Sequence, residues 1–329
     1  MKEKLRIVKK VIKKTCSMIS EYYSDFLSYN RWEYNNPSLM SQNALEAKIL
    51  RQTHVIEKGM SLTVPRPQFG VKKTLELLDY IDAFFSVGYS IESSVPVQNA
   101  VGVIKAYIDF HAGKGFQPKD VISRFEKYEK YVPHDVGVFG IEKQSLEEIN
   151  KKIHGQFPEF FLSRHSVRQF ASDTIDVKDI REAVELAMHA PSACNRQSCK
   201  AYFYQNAEKN KEIGELIAGN TGFSDEVKNY IVVTSDMYAY YDTFERNQTY
   251  VDGGIFTLAL VEALHYYGIA SCILQNGEIS CKNKEFKRIC GNIPDNEKII
   301  LFIAIGYYKD NVTYATSHRK ALDNVLIEE

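Results

Sequence analysis

Residues 298–308 read KIILFIAIGYY, an unbroken apolar run closed by a glycine and two tyrosines. Rich in isoleucine and short for a helix, it reads as a strand covered on both faces, at the centre of a sheet. IASCIL (269–274) has the same character and is placed centrally as well. NYIVVTSD (229–236) and the alternating KAYFYQ (200–205) add two further strands. Helical periodicity fills the intervals. DVKDIREAVELAMHA (176–190) has Asp176 near its N-cap and Pro191 as its stop, and another helix is predicted around 207–218. TYVDGGIFTLALVEALHYYG (249–268) is apolar nearly all round, which predicts a buried helix ended by Gly268. Strands and helices mix without regular βαβ spacing, so an α+β fold is expected rather than a doubly wound sheet.

Upstream of about residue 155 the chain reads as helix throughout. NALEAKILRQTHVIEKGM (43–60) is periodic, and VPRPQFG (64–70) breaks it with two prolines and a glycine. Three more helices are predicted within 71–88, 95–113 and 119–132. With 329 residues, roughly two domains are allowed. The expected division is a helical region at 1–155, acting as a lid or docking element, followed by a second domain at 156–329. RQTHVIEKGMS (51–61) mixes Arg51, His54, Glu57 and Lys58 at helical spacing. It reads as an ion-pair network tying helices together, with a lid over a pocket as the alternative.

Net charge is −1, from 41 basic and 42 acidic side chains, which gives no long-range field for nucleic acid. An anion site would therefore be local. The six cysteines (16, 194, 199, 272, 281 and 290) form no CxxC, and no His/Cys spacing suits a metal, so no metal site is expected. Reduced thiols fit a cytoplasmic protein. No apolar run reaches the length of about 18 residues needed to span a membrane. The first fourteen residues hold seven Lys/Arg on a helical pattern with Leu5, Val8, Val11, Ile12 and Ile19 on one side. This is read as a solvated helix packing one stripe on the rest of the protein; membrane-surface contact through 1–20 is the alternative. Neither a GxxxxGK[ST] nor a strand-linked GxGxxG is present, and no serine has a GxSxG around it. The Tyr-rich YAYYDTF (238–244) is read as core or interface rather than a stacking platform.

Four stretches gain meaning in order. They are Arg164-His165-Ser166-Val167-Arg168-Gln169-Phe170; Ala190-Pro191-Ser192-Ala193-Cys194-Asn195-Arg196-Gln197; DGGIFTLALVEALHYYGIASCIL; and Ala304-Ile305-Gly306-Tyr307, followed by His318-Arg319-Lys320. This order resembles the nitroreductase family of FMN-dependent oxidoreductases, over roughly residues 158–325. The resemblance implies a mixed β-sheet flanked by helices, with FMN bound at the interface of a homodimer. It implies ping-pong hydride transfer from NADPH or NADH through flavin N5 to a small acceptor such as a nitroaromatic, a quinone or a biosynthetic intermediate. No catalytic side chain is then required, because the cofactor carries the chemistry.

Guanidinium forks suit a phosphate. Arg164 and Arg319 are accordingly assigned to the FMN phosphate with Ser166, and His165 is assigned through side chain or backbone. By the family pattern Arg168 approaches the ring's N1/C2=O edge. Asn195 is the ring-contacting amide and Gln197 a second polar contact, while Pro191, Ser192 and Ala193 lie against the flavin. Gln275 and Asn276 are placed where the family presents backbone donors near N5 and O4. The family segment often continues N-x-Q-P-W, whereas this chain has Asn195-Arg196-Gln197-Ser198-Cys199. Arg196 is unusual there and is read as facing an anionic substrate. Cys194 and Cys199 suggest a redox pair but are read as packed thiols. Two other functions stay open: a flavin-binding scaffold without turnover, and a flavin oxidase or dehydrogenase independent of nicotinamide.

Overall fold

The computed structural model describes residues 2–33, 36, 40–61, 65–133, 138–141, 156–220, 222–241, 243–277, 280–312, 322 and 325–329. Arg319, assigned above to the phosphate, lies outside the described residues, as does the boundary near residue 155.

Helices dominate the first part: α1 (Lys2–Trp32), α2 (Gln42–Ser61), α3 (Val71–Ser86), α4 (Val95–Ala112) and α5 (Lys119–Phe125), the last running into a 3-10 turn at Glu126–Tyr131. Ser94 caps α4 by accepting from the Val97 N–H (3.4 Å), and Pro96 in the first turn forfeits no helical hydrogen bond. Leu45, Ile49, Ile56, Leu77, Leu78, Ile81, Val101, Ile104 and Tyr107 meet in one core made by α2, α3 and α4. Its edge is tied by Arg124, which reaches Asp79 and Asp82 at 2.7 Å each.

The second part holds four strands: β1 (Cys199–Tyr204), β2 (Asn229–Asp236), β3 (Ile269–Gln275) and β4 (Glu297–Tyr307), in the order β1-β2-β4-β3. All four pair antiparallel; the one parallel pairing among the described residues is an isolated bridge between Ser166 and Ser271. Around the sheet lie α6 (Phe157–Ser163), α7 (Val177–Ala187), α8 (Ala207–Leu216), α9 (Gln248–Tyr266) and α10 (Ser280–Cys290). Alternation along β2 separates two cores. Tyr230 and Val232 pack with Ile213 of α8 and Phe286 of α10, whereas Ile231 and Val233 pack with Ala183 of α7 and Leu260 of α9. The chain is thus α+β, with the sheet held between two helical layers.

Two sequence expectations are corrected here. β3 is an outer strand rather than a central one, and its Ile273 is 44% exposed. Its outer edge is covered in part by the segment after α6, whose Val167 N–H donates to Ser271 O at 3.0 Å. Helix α9 is not buried all round: Val251, Ile255 and Leu258 stay 38–50% exposed on one face. Helices α6 and α10 were not expected; α10 buries only Phe286 and Cys290, too sparse a stripe to read in SCKNKEFKRIC.

Gly306 joins two of the motifs. A Cβ there would lie 2.5 Å from Phe170 Cβ, so β4 passes close to the stretch carrying Arg164 and Arg168 only because residue 306 has no side chain. Ala171 N–H then donates to Tyr307 O at 3.0 Å. Gly306→Ala is expected to destabilise the fold by about 1–3 kcal/mol, as overpacking does. Because the clash is with Cβ itself, Phe170→Ala will not rescue it. Urea unfolding of the single and double variants measures both.

Candidate functional site

Arg164 follows α6 in extended backbone and lies half-buried against α9, its Nε 3.1 Å from Glu262 Oε1. Among the described residues its two Nη atoms have no hydrogen-bond partner. Glu262 Oε2 is likewise buried and unpartnered among them. Burial raises the Glu262 carboxyl, opposed by the Arg164 charge. One turn along α9, His265 is hydrogen-bonded to Ser163 Oγ (2.7 Å) and to Tyr308 OH (2.8 Å). Burial lowers its pKa, aided by the charges of Arg164 and His165. His165 itself is half-buried and engaged in further interactions.

Ser166 and Arg168 are exposed on the run that flanks β3. Arg168 lies on a cavity of about 670 Å³ whose wall includes Cys272, Gln275, Asn276, Gly219 and Tyr250. Burial raises the Cys272 thiol, opposed by Arg168 and then Arg164, so both guanidinium groups act on the middle of β3. Asn276 Nδ2 donates to Ile299 O (2.9 Å), which pins the turn after β3 to β4. Gln275 is exposed beside it.

The second set gathers on the opposite outer strand. Pro191, Ser192 and Gln197 line a cavity of about 280 Å³ together with Cys199, Asp252 and Phe256. The turn that carries them is conformationally costly. Cys194, Asn195 and Gln197 all adopt positive φ, near +50°, and each such non-glycine residue is disfavoured by on the order of 1–3 kcal/mol. Several bonds hold it. Ala193 N–H donates to both oxygens of Asp252 (3.3 and 3.2 Å), and Gln197 N–H donates to Ser192 Oγ (3.0 Å). Asp252 is steadied by Gln248 Nε2 (2.8 Å) and by Tyr240 OH (3.3 Å). Asn195 keeps an exposed side chain.

Arg196 corrects the sequence reading. Its side chain is fully buried, not facing a substrate, and forks onto Glu245 at 2.7 and 3.0 Å while its Nε donates to Ala193 O at 2.7 Å. It is a clamp for the strained turn. Breaking such a buried pair by removing one partner typically costs about 3–5 kcal/mol.

The helical part touches the same turn. α2 packs against residues 193–195 and 237–239, and Arg51 lies 4.4 Å above the Tyr241 ring. Ala44 and Trp32 pack on Tyr238. The YAYYDTF aromatics divide: Tyr238 and Tyr240 are core, with the Tyr240 OH bonded to Ser198 and Ser235, whereas Tyr241 is half-buried and Phe244 exposed. Of the ion-pair network expected on α2, His54 and Glu57 approach to 3.9 Å.

Cys199 is half-buried on the wall of the cavity that Pro191 and Ser192 line. Burial pushes it up to about 11, although Ser198 and Ser235 hydrogen bonds oppose the shift. Its unfolded-state thiol ionises near about 8.5. The stability gained from keeping it neutral is therefore complete below about pH 8.5 and lost as pH rises toward about 11. At about pH 8.5 Cys199 should react with iodoacetamide much more slowly than exposed Cys16 and Cys281. Peptide mass mapping of timed samples checks this.

No group of His, Cys, Asp and Glu among the described residues can hold a metal ion. Sequence reading missed Asp252, Glu245, Glu262 and His265. Asp252 and Glu262 did leave a signal, as the two carboxylates inside an otherwise apolar helix.

Residues 162–233 match the family model described as the nitroreductase family, which bears out the resemblance read from the motifs. Solved structures similar to this chain include a nitroreductase family protein of Streptococcus pneumoniae. It is 23% identical, with 53% of this chain and 100% of that one covered, at a TM-score of 0.46. A Desulfovibrio desulfuricans protein solved in complex with FMN and described as a nitroreductase is 19% identical, covering 54% and 98%, at 0.46. A nitroreductase family protein of Clostridium novyi is 22% identical, covering 47% and 87%, at 0.41. No curated protein sequence matches the chain.

Proposed function

We propose that this protein is an FMN-dependent oxidoreductase whose site is completed by a second copy of the chain. One observation carries the reading. The family-matched residues 162–233 hold both Arg164–Phe170 and Pro191–Gln197, and each stretch opens onto a cavity. The residues suit the group: an open guanidinium fork for a phosphate dianion, an exposed cation for a ring edge, and exposed amides for ring oxygens and nitrogens.

In this reading the Nη atoms of Arg164 and the Ser166 hydroxyl hold the phosphate, with Arg319 as the second guanidinium and His165 beside them. Arg168 offsets negative charge at the N1/C2=O edge. Gln275 and Asn276 offer backbone N–H groups, since the Asn276 amide is already spent on Ile299 O. Pro191, Ser192 and Ala193 form the wall, and Asn195 and Gln197 orient the ring. FMN, when bound, supplies hydride acceptance from NADPH or NADH at N5 and delivery to a small organic acceptor. The chain's own part is to position both partners over one face and to exclude water.

The two residue sets lie on β3 and β1, separated by two strands, or roughly 14 Å at ordinary strand spacing. A homodimer supports one set from each chain at every site. The exposed Val251, Ile255 and Leu258 face of α9 suits that contact. We assign residues 156–329 to the flavin-binding domain and 1–155 to a helical region that braces the 193–195 turn through α2.

Purified protein should be yellow, and anaerobic NADPH or NADH should bleach it. Colourless protein that ignores added FMN overturns the proposal. Yellow protein that neither nicotinamide bleaches retains the flavin but removes the nicotinamide step.

A further inference from the structure

Helix α1 is attached by its polar side. Glu21 Oε2 accepts from the Ser280 N–H (3.0 Å), Asp25 pairs with Lys298 (3.2 Å), and Ser28 Oγ donates to Met237 Sδ (3.7 Å). Its apolar side faces out. Leu5, Val8, Ile12, Ile19, Tyr23 and Phe26 are each between 53% and 63% exposed. At 3.6 residues per turn these six fall within about 60° of one another around the axis, over a length of about 32 Å. The sequence reading, a helix packing its apolar stripe on the rest of the protein, is overturned: every one of the six stays more than half exposed, and Phe26, at the stripe's end, borders a cavity with Met237 and Tyr250. A surface helix ordinarily does the reverse.

Charge identifies the occupant. Residues 2–14 hold seven Lys/Arg against the single acid Glu3, in a chain whose net charge is −1. Lys2, Arg6, Lys9, Lys10 and Lys13 share a second arc of about 100° beside the stripe. Two copies packed stripe to stripe in parallel would crowd both cation clusters together, and an antiparallel pair would leave each cluster at an outer end, whereas an anionic surface neutralises them in one step. No helix among the described residues is long and apolar enough to cross a membrane. We propose that α1 docks on an anionic lipid bilayer, lying in the headgroup plane with the Leu5–Phe26 stripe immersed and the lysines on lipid phosphates. This rests on α1 alone and stands apart from the flavin reading.

The full-length protein is sedimented with phosphatidylcholine vesicles, with and without phosphatidylglycerol. It should pellet with the anionic vesicles, stay in solution with the neutral ones, and be released by added salt. Lys9→Ser/Lys10→Ser/Lys13→Ser should lower the partition coefficient about a hundredfold, at roughly a factor of five per lysine. Val8→Glu/Ile12→Glu should abolish pelleting, with the helical circular dichroism signal retained because both positions are exposed. Failure of the wild type to pellet overturns docking, as does pelleting unchanged in both variants. Equal pelleting with neutral vesicles overturns the charge assignment. A wild type that ignores vesicles while Val8→Glu/Ile12→Glu lowers its mass in sedimentation equilibrium overturns docking in favour of a second copy.

Discussion

Arg164→Ala protein is expected to come off a gel-filtration column with most of its FMN lost. A charge-assisted hydrogen bond contributes about 1.5–3 kcal/mol, so losing the fork should weaken FMN binding roughly 10- to 150-fold. The same substitution strips the partner from Glu262, whose second oxygen is already buried without one among the described residues. A fall in flavin content alone would therefore not separate phosphate binding from local damage. Adding Glu262→Gln removes the orphaned charge. If Arg164 holds phosphate, the double variant recovers thermal stability while remaining poor in flavin. Flavin content that returns with stability would reduce Arg164 to a structural partner of α9. Riboflavin, which lacks the phosphate, gives a further check: its affinity should be nearly unchanged by Arg164→Ala.

The strands were legible because each is a short apolar run between turn residues, and NYIVVTSD forms β2 over 229–236. What such a run does not carry is its place in the sheet. Ile269–Gln275 has a central strand's composition but an outer position, since a non-strand segment and its Val167 contact cover part of its edge. Arg196 shows the matching limit for charges. Its partner Glu245 is 49 residues away, and nothing local distinguishes a buried clamp from a solvated arginine. The motifs were readable one by one, and Gly306 against Phe170 gives two of them a steric reason to occur together. Their distribution onto the two outer strands was not readable, because spacing along the chain does not specify a sheet edge.

The strained turn and the helical region belong to one argument. Three non-glycine residues at positive φ within 194–197 persist only if their surroundings over-determine them. Asp252 from α9, Glu245 through Arg196, and the packing of α2 supply that constraint from three directions. A flavin ring against such a turn would meet fixed backbone groups rather than ones that reorganise on binding.

The proposed dimer contact gives the largest expected change. Ile255→Glu/Leu258→Glu on α9 should convert the protein to a monomer and remove its flavin in the same step. Both side chains are partly exposed in the single chain, so far-UV circular dichroism should stay close to wild type, while the unfolding midpoint falls only by what the lost partner and flavin contributed. At a dimer contact each buried carboxylate would instead be unpaired, a cost of several kcal/mol per ion. The two effects are coupled because neither chain alone brings Arg168, Gln275 and Asn276 to the turn bearing Asn195 and Gln197. Light scattering and flavin absorbance on the same peak measure both. A variant that turns monomeric but keeps stoichiometric FMN would show that one chain suffices and would move the ring to a single edge of the sheet. A variant that stays dimeric would place the subunit contact elsewhere and leave the exposed α9 face without its assigned role.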